Sequence, residues 1–102
     1  MWIRTKVNQI TPVRSFESKR SDGRTETINV MGMILKRGSE SFYGEVFGEK
    51  LKMIEGIAPG DHITLELKNT VRTWRNQQGG DMYENRLTVT DIMEVEHTEK
   101  PF

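Results

Sequence analysis

The sequence predicts an all-β domain: a five-stranded Greek-key barrel with one short helix between its third and fourth strands. Three observations carry that expectation. Five segments, at residues 2–12, 24–36, 41–48, 61–75 and 82–95, alternate apolar and polar side chains with the two-residue period of a half-buried strand. Only Glu49 to Gly56 offers a helical stripe. Turn-forming clusters separate these segments: Ser21-Asp22-Gly23, Arg37-Gly38-Ser39-Glu40, Pro59-Gly60 and Asn76 to Asp81.

Taken in order, residues 2–12 hold Ile3, Val7 and Ile10 among polar neighbours. Val13 to Gly23 is polar and charged and is expected as a long loop. Residues 24–36 place Ile28, Val30 and Ile34 on one side and Thr27, Asn29, Met31 and Met33 on the other. In 41–48, Tyr43 and Phe47 share one phase with Glu45 between them, while Phe42, Gly44 and Val46 share the other. Leu51, Met53 and Ile54 form the helical stripe, Gly56 stops it, and Pro59-Gly60 forbids continuation. Residues 61–75 turn Ile63, Leu65 and Leu67 inward, with Val71 in the same phase. In 82–95 a phase change between Val89 and Ile92 points to a bulge. Gly32, Gly44 and Gly48 read as bulges or barrel corners. Residues 1–95 are expected to form one domain, and 96–102 a short charged tail. This order of elements is that of the OB-fold, whose ligands lie across the second and third strands, between the loop joining strands one and two and the loop joining strands four and five. Here those loops are Val13–Gly23 and Asn76–Asp81.

Composition narrows the function. The 102 residues suit one domain, large enough to bury a core without metal or disulfide support. There is no cysteine, which excludes disulfides and thiolate zinc sites. Met1 to Lys6 has no apolar run, so no signal peptide is expected. No window approaches a membrane span, and a cytoplasmic protein is the expectation. Fifteen basic and fifteen acidic residues cancel, where a nucleic-acid binder usually carries a basic excess. Their distribution is uneven. Residues 1–52 hold ten Lys/Arg against six Asp/Glu, and residues 53–102 hold five against nine. A neutral total therefore accommodates one basic face. His62 and His97, the two histidines, lie in different elements, and no triad is legible, so no enzyme is expected. Asp91, Glu94 and Glu96 read as a solvated edge, and Gly79-Gly80 lacks the Lys-Ser/Thr of a phosphate loop. No metal and no cofactor is expected.

Trp74 shares its phase with Lys68, Thr70 and Arg72 and is expected to face outward, flanked by Arg72 and Arg75. A flat aromatic beside cations offers unpaired bases a stacking surface and phosphates a counter-charge. The competing reading has the indole covering one barrel end. Phe47 stands between core and ligand face, whereas Tyr43 is expected exposed because its hydroxyl needs a partner. Tyr83 is expected to brace Trp74 across the hairpin, with stacking in its own right as the other reading. Arg14, Phe16, Lys19, Arg20 and Arg24 fill or flank the first loop. With Arg72, Arg75 and Arg86 they form a groove in one reading and a solvated surface in the other.

Several stretches, in this order and spacing, resemble the bacterial single-stranded DNA-binding protein family. They are Gly23-Arg24-Thr25-Glu26-Thr27-Ile28, Glu45-Val46-Phe47-Gly48-Glu49-Lys50-Leu51, Gly60-Asp61-His62-Ile63-Thr64-Leu65-Glu66, and Val71-Arg72-Thr73-Trp74 followed by Gly79 and Tyr83. The resemblance covers residues 23–95. The glycine-rich first strand of that family and its Gly/Gln-rich linker have no counterpart here. The resemblance implies binding of single-stranded DNA with little sequence preference, without distinguishing RNA. It places Phe47, and Tyr43 with it, on the ligand face. It also implies assembly into dimers or tetramers; independently of the resemblance, an exposed first strand beginning at Trp2 offers an edge for pairing. Glu94, Glu96 and Glu99 before Pro101-Phe102 echo the family's acidic tip, with Lys100 intervening. Such a tip would dock on a replication or repair protein; a frayed terminus is the other reading. The rival function is an OB-type adaptor subunit that binds protein and no nucleic acid.

Overall fold

Alternation along each strand becomes a closed ring of pairings. Strands β1 (Trp2–Ile10), β3 (Thr25–Arg37), β4 (Glu40–Phe47), β5 (His62–Arg75) and β6 (Asp81–Glu96) pair in the order β1-β5-β6-β4-β3, and β3 returns to β1. The computed structural model describes residues 1–98. Neighbouring strands are antiparallel except β4 and β6, which close the ring in parallel through Gly44–Leu87 and Glu45–Thr88. This is the OB-fold order, with a single short helix between the third and fourth ring strands.

The expected first loop is largely a strand. β2 (Arg14–Lys19) pairs with β3 from Arg14–Val30 to Lys19–Thr25. β1 already pairs with the other half of β3, so β1 and β2 are two halves of one long strand. The break is Thr11-Pro12-Val13, where proline has no N–H for a ladder. Thr11 spans the gap: its N–H donates to the Gly32 carbonyl at 2.8 Å, and its hydroxyl accepts from the Gly32 N–H at 2.8 Å. Polar composition concealed this strand because both its faces are largely exposed.

Ile3, Val7, Val46, Ile63, Leu65, Leu67 and Val89 fill the interior. On β3 the inward side is Met31, Met33 and Leu35; Val30 is buried on the outer face. A 3₁₀ helix, Gly48–Ile54, rests against β3, β4 and β6 and sends Ile54 into the core, and the segment after it adds Ile57. The bulge expected near Val89–Ile92 is present. Leu65 faces Ile92 and Leu67 faces Val89, leaving Thr90 as the extra residue, and a second shift leaves Met93 extra. No helix among the described residues is long and apolar enough to cross a membrane.

Residues 68–86 are all exposed, so the β5–β6 hairpin leaves the barrel as an arm. The molecule measures 54 × 33 × 23 Å. Val71, expected inward, is 59% exposed because the ring has ended before it. At the tip, the Asn76 side-chain oxygen accepts the Gln78 and Gly80 N–H groups at 3.0 and 2.8 Å, and Gly79 takes φ 82°. The edge expected at Trp2 is half occupied, since Trp2–Lys6 pairs with β5 and Lys6–Ile10 with β3. Strand β6 runs to Glu96, and residues 97–98 are tied back to the barrel. Pro101 and Phe102 lie outside the described residues.

Candidate nucleic-acid interface

The pleat of β4 sends Val46 inward and turns Tyr43, Glu45 and Phe47 to the outer face. Their partners on β3 are Ile34, Gly32 and Val30. β2 adds Arg14 opposite Val30 and Phe16 opposite Ile28. Phe16 and Phe47 meet edge to face, with centroids 6.4 Å apart and an interplanar angle of 87°. Gly32 lets the Tyr43 ring lie across the strand; a Cβ there would collide with the Tyr43 hydroxyl and ring. Phe47 is thus on the outer face, half-buried under Phe16, and Tyr43 is 45% exposed.

A buried carboxylate sits in the middle of this surface. Glu45 is 5% exposed, and Arg14 and Arg86 reach it from opposite sides at 2.8 and 3.3 Å. A buried charge persists only when paired. Here the pairing joins β2 to β6 across β3 and β4. The bridge divides the surface into two hollows: one of about 300 Å³ beside Phe16, Val30 and Phe47, and one of about 430 Å³ beside Phe42, Tyr43 and Leu87. Sequence reasoning included Arg14 and Arg86 among groove cations but missed Glu45 as their common partner. The signal, a lone acid between two aromatics, identifies no partners by itself.

The arm extends the same face. Trp74 pairs with Met82, Arg72 with Glu84 and Thr70 with Arg86. Cross-strand partners share a face, so Trp74 and Arg72 lie on the side from which Arg86 reaches Glu45. Trp74 is 38% exposed, and the Arg72 guanidinium carbon stands 5.2 Å from its ring centroid, within cation–π range. The indole covers no barrel end. A hollow of about 380 Å³ at the arm's tip, lined by Thr73, Trp74, Arg75, Asp81 and Tyr83, opens on the face opposite the indole, because Thr73, Arg75, Asp81 and Tyr83 share that phase. Arg75 pairs with Asp81 at 3.4 Å. Tyr83 does not brace the indole: it pairs with Thr73, belongs to the other face and is 69% exposed.

Lys19, Arg20 and Arg24 are not brought to the aromatics. Lys19 is out of phase with Arg14 and Phe16, while Arg20 and Arg24 sit at the β2–β3 turn paired with Glu26 (3.1 Å) and Asp22 (3.9 Å). A separate cluster anchors the end of β6. Asp61, 4% exposed, accepts the Ala58 N–H at 2.9 Å and the Thr98 N–H at 3.1 Å, and contacts His97 Nδ1 at 2.9 Å. Those amides, Ala58 first, hold its carboxyl below the ordinary aspartate value.

No protein-family model and no curated protein matches the chain. Solved structures do. The chain is similar to the second OB-fold domain of replication protein A from Methanococcus maripaludis, with a TM-score of 0.56 and 18% identity over 97% of this chain and 86% of that one. It is similar to the mitochondrial single-stranded DNA binding protein Rim1 from S. cerevisiae, with a TM-score of 0.58 and 13% identity over 96% and 95% of the two chains. At such identities the likeness establishes the fold: this is an OB-fold domain.

Proposed function

We propose that this protein binds single-stranded DNA with little sequence preference, as a binding module and not an enzyme. The observation that carries the reading is one continuous outer face. It presents Phe16, Phe47, Tyr43 and Trp74 together with Arg14, Arg72 and Arg86. Aromatic faces stack any base, and guanidinium groups meet phosphates without reading sequence. The OB-fold and its likeness to a protein named for single-stranded DNA binding support the reading. Arg75 and Tyr83 line a hollow on the arm's other face and would contact a strand that wraps around the arm's tip. A cytoplasmic location and assembly with further copies belong to the same proposal. β2, at the end of the strand order, supplies an open edge.

The adaptor reading draws on zero net charge and on exposed Val71 and Tyr83 on the arm's other face. A titration with oligo-dT, read by tryptophan emission in a Trp2→Phe background, separates the two. Quenching that disappears in Trp74→Ala and weakens with salt supports nucleic-acid binding. An unchanged signal at low salt and micromolar protein supports the adaptor. A parallel oligo-U titration tests discrimination through the ribose hydroxyl.

A further inference from the structure

A second cationic surface lies where β1 parts from β3. Lys6 stands directly opposite Lys36 in the β1–β3 pairing and opposite His62 in the β1–β5 pairing. Two ammonium groups and an imidazole therefore form a row on one outer face. Arg4, two residues before Lys6, shares that face, and Arg37 closes the end. Together they line a cleft of about 440 Å³.

Like charges directly opposite in a sheet destabilise it, so this row needs an explanation. The nearby carboxylates are taken by the other cations of the cleft: Glu94 and Glu96, the second also opposite His62, pair with Arg4, and Glu40 pairs with Arg37. Among the described residues no acidic side chain pairs with Lys6 or Lys36. Thr5, between Arg4 and Lys6, turns its side chain to the core, so the outer cleft is set by the cations alone. Two of these, Lys6 and Lys36, stand opposite each other with no counter-charge of their own.

We propose that this cleft binds phosphate, with Lys6 and Lys36 as its charged contacts. The phosphate is either free or part of a nucleic-acid backbone. Only the second source rests on the proposed DNA function. Lys36 lies on the same face of β3 as Val30, six residues or about 20 Å of strand away, so a nucleic acid that runs along β3 from the aromatic groove would reach it.

The test is a Lys6→Gln/Lys36→Gln double variant with two readouts. In the first, inorganic phosphate replaces chloride at matched ionic strength. Wild type responds with amide shifts at Thr5, Lys6, Lys36 and Arg37 and a higher melting temperature. The double variant loses both responses, and in chloride it melts no lower than wild type because the repulsion is gone. In the second, a long dT oligomer is titrated across salt. A backbone source lowers the slope of log affinity against log salt by about 1.4, two phosphates at about 0.7 each. A phosphate response with an unchanged slope assigns the site to free phosphate or a nucleotide. No phosphate response in wild type, with an unchanged slope, overturns the proposal. Trp74→Ala keeps the phosphate response whatever it does to DNA, so the groove reading and this site fail separately.

Discussion

Arg72 lies beside the Trp74 ring because both alternate outward on one strand, two positions apart. Their shared phase makes the arm a stacking platform with its own counter-charge. Trp74→Ala should cost about 1–3 kcal/mol of DNA binding, the worth of one stacked base; fluorescence anisotropy of a labelled oligomer measures it. A different residue sets an acid limit on stability. Asp61 has a lowered folded-state pKa, so its contribution is present above the unfolded value, about 3.9, and is lost as pH falls through the folded one. Asp61→Asn should be less stable than wild type near neutrality, and the deficit should shrink as pH falls below the ordinary aspartate value; urea midpoints measured near neutrality and in acid would show it. The outward phase that Trp74 shares with Arg72 was legible in the sequence because alternation is local; Arg75, one residue on, falls on the opposite face and does not flank the ring. The loss of the bracing role expected for Tyr83 was not legible. The turn pairs Arg75 with Asp81, so Met82 falls opposite Trp74, and a one-residue offset in register moves a side chain to the other face.

Strands β3 and β4 show how elements divide labour between core and surface. Gly44 faces inward, where a Cβ would lie 3.1 Å from Val89 Cγ2 and 3.5 Å from Leu67 Cδ2. Gly44→Val should therefore destabilise the barrel by about 1–3 kcal/mol through overpacking, read from chemical denaturation. Glu45, one residue on, acts on the outer face. Its two arginine partners are half exposed, so Glu45→Gln should cost only about 1–2 kcal/mol of stability, between surface and buried pairs. The same change should tighten DNA binding and steepen its salt dependence, because Arg14 and Arg86 no longer neutralise a carboxylate. Weaker binding in Glu45→Gln would mean that Glu45 holds the guanidinium groups in productive positions. The phase of Tyr43, Glu45 and Phe47 was readable in advance. Phe16 packing edge-on against Phe47 was not, because it depends on β2, which polar composition disguised as a loop.

Over the whole molecule, a closed ring carries the stability and an open arm carries much of the candidate interface. Residues 68–86 include no buried side chain. Replacing residues 72–83 with a tight turn should leave the melting temperature within a few degrees of wild type. The same change should remove the Trp74 share of DNA affinity. Circular dichroism melts and the oligomer titration check the two halves of that expectation. A large loss of stability would show that the arm supports the barrel. The neutral total charge conceals an uneven surface: the Lys6–Lys36 pair keeps its positive charge, while Glu94 and Glu96 at the end of β6 are taken up by Arg4 beside it.

Sequence alone determined the five alternating segments of the ring, the turns between them, the single short helix and its place, and the outward setting of Trp74. Each follows from side-chain chemistry over a few neighbouring residues. Only the tertiary structure decided that β1 and β2 are halves of one strand, that Val71 lies beyond the barrel's end, that Arg14 and Arg86 meet on Glu45, and that Lys6 faces Lys36. These join residues distant in the chain, and pairing register, which no local pattern encodes, sets which of them touch.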